Sequence, residues 1–187
     1  MPTQKEQLKQ YLVVINPSDD ISDDVKKFKE EFRQKFGEAK YLNLWPHITL
    51  SLFSGSEELE LQLNENLSSY AQKKKSFTVQ IDNFDCFKRS GVIYLQPEIE
   101  IISELQREIP EIVKQEIGFE KKRVLIATHP HITIARSKVS EQFLKAWDYF
   151  QSVNYHKTFV VGQIHVYKRE LKNHAPWTPC FKVDFRG

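Results

Sequence analysis

Hydrophobic positions along this chain fall into short runs with two different periods. Tyr11-Leu12-Val13-Val14-Ile15 and Val92-Ile93-Tyr94-Leu95 are continuous apolar runs of strand length, and both predict buried strands. Asn16-Pro17-Ser18-Asp19-Asp20 follows the first as a turn leading into a helix. There Val25, Phe28, Phe32 and Phe36 recur at helical steps, and Gly37 is placed to end the helix. Leu59, Leu63 and Leu67 predict a second helix from about Glu57 to Lys73. Ile101, Leu105, Ile109, Ile112 and Val113 mark a third, with Pro110 placed to break it. Phe143, Trp147 and Phe150 mark a fourth, from Glu141 to Phe150. Alternating or β-branched runs predict strands at Phe77–Ile81 (running on towards Phe87-Lys88-Arg89), Phe159–Val161, Ile164–Arg169 and Phe181–Phe185. Strands interleaved with helices, then hairpin-like returns, argue for an α/β or α+β protein.

The pattern also repeats. Pro46-His47-Ile48-Thr49-Leu50 and Pro130-His131-Ile132-Thr133-Ile134 are nearly the same segment, each followed by a helix and a Phe-led strand ending in a Lys-Arg pair. Matched features lie 84 residues apart for the histidines, about 82 for the Phe-led strands and 80 for the Lys-Arg pairs. A slowly drifting offset is the trace of a duplicated unit with small deletions, and it predicts two similar lobes.

Each motif sets a histidine and a threonine two residues apart. On a strand both side chains face one way, about 6.5 Å apart at ~3.3 Å per residue. An imidazole and a hydroxyl at that spacing reach two different oxygens of one phosphate. Ile48, Leu50, Leu52, Ile132 and Ile134 are expected to anchor the opposite face in the core. Imidazole titrates near neutral pH, so one copy can take a proton while the other gives one. Thr49 and Thr133 would donate to the non-bridging oxygens, where charge builds up. A single His on a strand is more often structural; two copies at equivalent repeat positions favour chemistry.

A metal is the rival reading, because His129 and His131 also share ligand-like spacing. Zinc sites need three or four ligands, and no third lies nearby in sequence; the first repeat has Trp45 where the second has His129. The expectation is no metal and no cofactor. Arg136 follows the second motif at odd spacing, which sends it to the opposite face under strict alternation unless the strand end swings it back. Trp45 and Phe53 are candidates for stacking on a base, with core packing the more ordinary role. His165 and Tyr167 share a strand face that can line the same cleft.

Composition narrows the classes further. The 187 residues carry a formal charge of +2, with 40% hydrophobic and 28% charged residues, so no global field marks a nucleic-acid binder. The runs Lys73-Lys74-Lys75 and Lys121-Lys122-Arg123 read as solvated helix ends or loops. Thirteen phenylalanines against one methionine suggest a core of well-defined shapes. Cys86 and Cys180 have neither metal nor redox spacing. No apolar leader opens the chain and no run has the length of a membrane span, so a reduced, cytoplasmic protein is expected.

At these motifs the chain resembles the two-histidine (2H) phosphoesterase superfamily, in particular its 2'-5' RNA ligase-like and cyclic phosphodiesterase branch. The likeness covers size, duplication and both motifs. It implies one bilobal α+β domain over residues 1–187, with antiparallel-rich sheets around a central groove and helices outside. It also implies metal-independent chemistry on 2',3'-cyclic or 2'-5' phosphodiester linkages of nucleotides or RNA ends. The implied catalytic residues are His47, Thr49, His131 and Thr133, with Arg136 gripping substrate. By analogy His131 is the base and His47 the acid, with the reverse left open by the near symmetry. Many relatives open the first strand with an arginine, where this chain has Gln10. A monomer with a nucleotide or RNA partner and no membrane is the expected state. An exonuclease leaving a cyclic phosphate at RNA 3' ends, and a nucleotide-binding module without turnover, are the alternatives.

Overall fold

The computed structural model describes residues 8–116, 124–138, 141–171 and 175–186. Its elements in chain order are β1 (Lys9–Ile15), α1 (Asp19–Phe36), β2 (Ile48–Gly55), a 3-10 turn (Glu57–Leu59), α2 (Glu60–Ala71), β3 (Phe77–Phe87), β4 (Val92–Pro97) and α3 (Ile99–Glu116). There follow β5 (Val124–Ile126), β6 (Ile132–Arg136), α4 (Glu141–Phe150), β7 (His156–Val161), β8 (Gln163–Glu170) and β9 (Thr178–Asp184). The protein is α+β. The basic run at 121–123 lies outside the described residues.

In the strand order β7-β3-β4-β6-β2-β1-β8-β9, with β5 against β2, the repeat-equivalent strands β6 and β2, β4 and β1, and β3 and β8 lie symmetrically about the centre. All named pairings are antiparallel. The two expected sheets meet at one residue pair, Ile48 with Ile132, which joins them into a single curled sheet. That join places the two His-Thr segments side by side at the middle of the molecule.

Spatial halves and sequence halves do not coincide. Helix α1 follows β1 but packs on β6 and α4, whereas α3 follows β4 but packs on β2 and α2. Likewise β3, from the first repeat, pairs with β4 of the second, and β8 pairs back with β1. Each lobe is therefore built from both repeats, and neither repeat can bury its apolar faces without the other.

The periodicities account for the helices. In α1, Ile21, Val25 and Phe32 are fully buried, and Phe28 and Phe36 pack against the core. Phe28 meets Phe84 edge-on at 5.0 Å, and Phe32 stacks with Phe150 at 6.2 Å between centroids. Burying each such ring is worth about 1.5–3 kcal/mol. Gly37 ends α1 at φ 88°, a conformation costly for any residue with a Cβ, and its N–H donates to the Arg33 carbonyl.

Pro110 does not break α3, contrary to expectation. The ring forfeits one backbone hydrogen bond, but Ile102, Leu105, Ile109 and Val113 are all buried on the same face and hold the helix continuous. Ile101 lies off that face, 38% exposed. The three-residue strand β5, too short for any periodicity, went unanticipated.

Candidate active site

Ile48 and Ile132 face each other across the central join, both fully buried, with Leu50 and Ile134 beside them in the core. Alternation then turns His47, Thr49, His131 and Thr133 to the other, partly open face. Both histidines sit one residue before their strands rather than inside them. Continuing the antiparallel register by one residue each way sets His47 across from Thr133 and His131 across from Thr49. The two motifs thus meet head to tail around an approximate two-fold axis.

The same local contact orients both imidazoles. His47 Nδ1 lies 2.9 Å from the Trp45 carbonyl, and His131 Nδ1 lies 2.9 Å from the His129 carbonyl. A carbonyl only accepts, so each Nδ1 carries the hydrogen and each neutral ring keeps its lone pair on Nε2. An aromatic side chain from the strand two places away backs each motif. Tyr167 of β8 packs on Trp45 at 4.9 Å, and Trp45 in turn lies 4.8 Å from His47. Phe87 of β3 meets His131 at 5.1 Å and His129 at 5.2 Å. Phe87 and Tyr167 are themselves 80 residues apart, the offset of the Lys-Arg pairs.

A β-bulge in each central strand decides what else reaches this face. In β2, Val14 pairs with Thr49 but Val13 with Ser51, so the alternation slips. Leu52, expected in the core, instead lines a cleft of about 380 Å³ with Leu12, Thr49, Phe87, Leu125 and His131. Ser51 takes the buried side. In β6, Tyr94 pairs with Thr133 but Ile93 with Ala135. That slip brings Arg136, paired with Val92, back to the face of Thr133 and Tyr94, which the odd spacing alone argued against. Arg136 is exposed, and its Nη1 donates to the Tyr41 hydroxyl at 3.4 Å.

Phe53 is in the core, stacked on Tyr11 at 5.1 Å. His165 is set across β1 from Thr49, since both pair with Val14. Gln10, at the opening of β1, accepts two hydrogen bonds from Arg169, whose guanidinium covers the Trp177 ring at 4.3 Å. Arg169 of β8 therefore sets a guanidinium beside Gln10, in addition to Lys9, the first residue of β1.

His129 does not share a strand face with His131 as the spacing suggested; it lies in the bend before β6. Its Nε2 is 3.2 Å from Gln96 Oε1 and 3.1 Å from the Tyr94 hydroxyl, which in turn donates to Asp85 at 3.1 Å. Among the described residues no group of three or more His, Cys, Asp or Glu has the arrangement to hold a metal ion.

Burial pushes the His47 imidazole down to about 4; the Trp45 carbonyl counters in part, while positive charge on Lys29 and His131 pushes further down. His131 is also lowered by burial, with the His129 carbonyl opposing. Lys29 went unanticipated. It is 3% exposed, and its ammonium donates to the carbonyls of Tyr41 (2.9 Å) and Leu44 in the loop that delivers His47. Burial lowers its own pKa to about 8. Tyr41 holds φ 72°, a conformation costly for a non-glycine residue, at one of these tethers. The available signal was a lysine on the apolar stripe of α1, one turn from Val25. Gln106 of α3, also buried, donates to the Thr49 carbonyl at 2.8 Å and ties the helix to β2.

The family model described as the 2'-5' RNA ligase superfamily matches residues 17–173. No curated protein matches the sequence. Among solved structures, E. coli LigT complexed with 3'-AMP superposes with a TM-score of 0.67 at 18% identity, covering 96% of this chain and 99% of that one. TT0787 of Thermus thermophilus superposes with a TM-score of 0.71 at 18% identity, covering 95% and 98%. At these identities the structures show a shared fold. No described helix is long and apolar enough to cross a membrane.

Proposed function

The chain belongs to the 2'-5' RNA ligase superfamily of 2H phosphoesterases, and from that premise we propose that it is a phosphodiesterase acting on 2',3'-cyclic phosphate or 2'-5' linkages of nucleotides or RNA ends. One observation carries the reading: both motif imidazoles donate from Nδ1 to the carbonyl two residues back, leaving paired Nε2 atoms flanking the central join. LigT has been crystallised with 3'-AMP, ATP and NADP+, which supports a nucleotide in the equivalent groove.

Burial pushes both imidazoles toward the neutral form, which by itself gives two bases and no acid. An anionic phosphodiester supplies the missing charge and raises the proton affinity of the rings around it. His131 gains that proton more easily, because burial and the Lys29 charge together hold His47 down to about 4, although burial and the neighbouring His129 also lower His131. On this reading His47 Nε2 takes a proton from the attacking water as its oxygen bonds to phosphorus. The bond from phosphorus to the 3' oxygen breaks, His131 gives its proton to that oxygen, and a 2'-phosphomonoester results. This reverses the assignment drawn from family analogy. Thr49 and Thr133 hold the two non-bridging oxygens, and Arg136 contributes a paired-donor fork at the outer edge. These groups supply acid, base and charge stabilisation from protein side chains, so no metal is invoked.

The test is to incubate the protein with 2',3'-cyclic nucleotides and 2'-5' linked dinucleotides, with and without chelator, and to separate the products. Chelator-resistant turnover that falls by about 10²–10⁴ in both His47→Ala and His131→Ala is expected. Activity surviving in both variants removes the proposal.

A further inference from the structure

Beyond the two motifs, at the outer end of β6, lies a second cavity of about 510 Å³ that shares only Arg136 with the chemistry above. Lys40, Arg89, Arg136 and Lys138 line it together with Ser90 and Ser137. We propose that this cavity binds a second phosphate of the substrate, so that the preferred substrate is a nucleotide carrying another phosphate beyond the reacting one. The inference rests on the reading of the cleft as a phosphodiester site and extends it.

Three observations converge. Charge is the first. Many basic side chains of this protein are neutralised, Lys74 by Glu104 and Glu108, Lys157 by Asp20 and Asp24, Lys168 by Glu57 and Glu60. Among the described residues, none of the four cations of the cavity forms an ion pair, and the lone acid in its lining, Glu38, is taken by Arg33. Four unpaired cations in one concavity stand far above the background of a chain whose net charge is +2.

Rigidity is the second. Lys40 and Arg136 exchange two backbone hydrogen bonds of 2.9 Å, and the Ser137 N–H donates to the Gly91 carbonyl at 3.0 Å. Gly91 has φ 65°, and a Cβ there would meet the Ser137 carbonyl oxygen at 2.0 Å, so the turn carrying Arg89 is clamped against the strand end. The chain segments that carry these cations are braced before any ligand arrives, which lowers the ordering cost of binding.

Continuity is the third. The β6 bulge sets Arg136 on the face of Thr133, three residues on, about 10 Å at ~3.3 Å per residue. One phosphate cannot span the motifs and this cavity, whereas two phosphates joined through a ribose can.

The test is binding of 3'-phosphorylated nucleotides that require no turnover, measured by calorimetry at low and moderate salt. A 3'-phosphorylated trinucleotide is expected to bind about tenfold tighter than the 3'-phosphorylated mononucleotide with the same terminal base, as one added charge-assisted hydrogen bond gives. Lys40→Gln/Arg89→Gln/Lys138→Gln is expected to bring that ratio to about one and to flatten the salt dependence by about 0.7 for each phosphate no longer engaged. A dinucleotide joined by a pyrophosphate forms a second arm. If it carries the advantage and the trinucleotide does not, the second phosphate comes from a pyrophosphate rather than an RNA chain. Equal affinities in the wild type for all three ligands, or an advantage that survives in the triple variant, overturns the subsite. Since binding is read independently of hydrolysis, failure of the catalytic reading appears as absent turnover and failure of the subsite as an absent ratio.

Discussion

The two ends of the site are built from one repeated plan and differ in what surrounds it. At one end His47 is backed by Trp45, itself packed on Tyr167, with the buried ammonium of Lys29 behind its loop. At the other, His131 is backed by His129 and Phe87, beside the Tyr94–Asp85 hydrogen bond, and it borders the cleft shaped by Leu12, Leu52 and Leu125. Backbone geometry is shared: register, Nδ1 bond, facing threonine. Electrostatics are not. A duplicated scaffold thus places two equivalently oriented imidazoles beside the central join, and the neighbours that diverged give them different electrostatic surroundings. Symmetry supplies position and asymmetry supplies role.

The sharpest way to break this comparison is chemical. His47→Ala and His131→Ala should each lower turnover by about 10²–10⁴. A substrate with sulfur at the leaving 3' position needs no acid, so it should restore most of the rate to His131→Ala and little to His47→Ala. The opposite pattern would return the roles to those suggested by family analogy.

Thr49→Val and Thr133→Val remove the paired donors while keeping shape. Each should cost about tenfold to a hundredfold in kcat with little change in folding, within the range of a lost charge-stabilising hydrogen bond. Single-turnover rates and thermal melting check both halves of that statement.

Lys29→Met keeps the length and removes the charge. Taking the cation away should raise the pKa of His47, visible in an NMR titration of its ring, and loosening of the 41–47 loop should lower kcat about tenfold. Lys29→Arg should leave His47 depressed. A ring titration unmoved by Lys29→Met would show that the lysine acts only on packing.

The smallest effect concerns stability. His47 titrates lower folded, at about 4, than in the unfolded chain, near 6.5. Between those values the unfolded state binds more protons, so stability is full above the upper value and declines as pH falls through the window. Urea midpoints measured from pH 7 to 4 should fall less steeply in His47→Gln than in the wild type.

Much of this was legible in the residues. The periods of two and near four placed four helices and most strands, because burying one apolar face is a local demand written every second or every third and fourth position. Both His-Thr pairs were legible for a related reason, since a repeated polar interruption of an apolar run has no packing explanation. Leu52 was assigned to the wrong face, and strict alternation argued against Arg136, because each lies just past a bulge, and a bulge is a property of two paired strands. Pro110 was given too much weight because its local cost is outweighed by the buried stripe around it. Lys29 was overlooked because its partners are carbonyls, which every residue has.

By itself, then, the chain determined its element types, its internal duplication and the two His-Thr motifs, since these depend on side-chain chemistry and short-range spacing. Only the tertiary structure decided that the repeats exchange helices and strands, that the motifs meet head to tail at a single pair, and which imidazole sits beside a buried cation. Those outcomes depend on which surfaces meet across many tens of residues, where desolvation and Coulomb interactions act through space and leave no trace in local order.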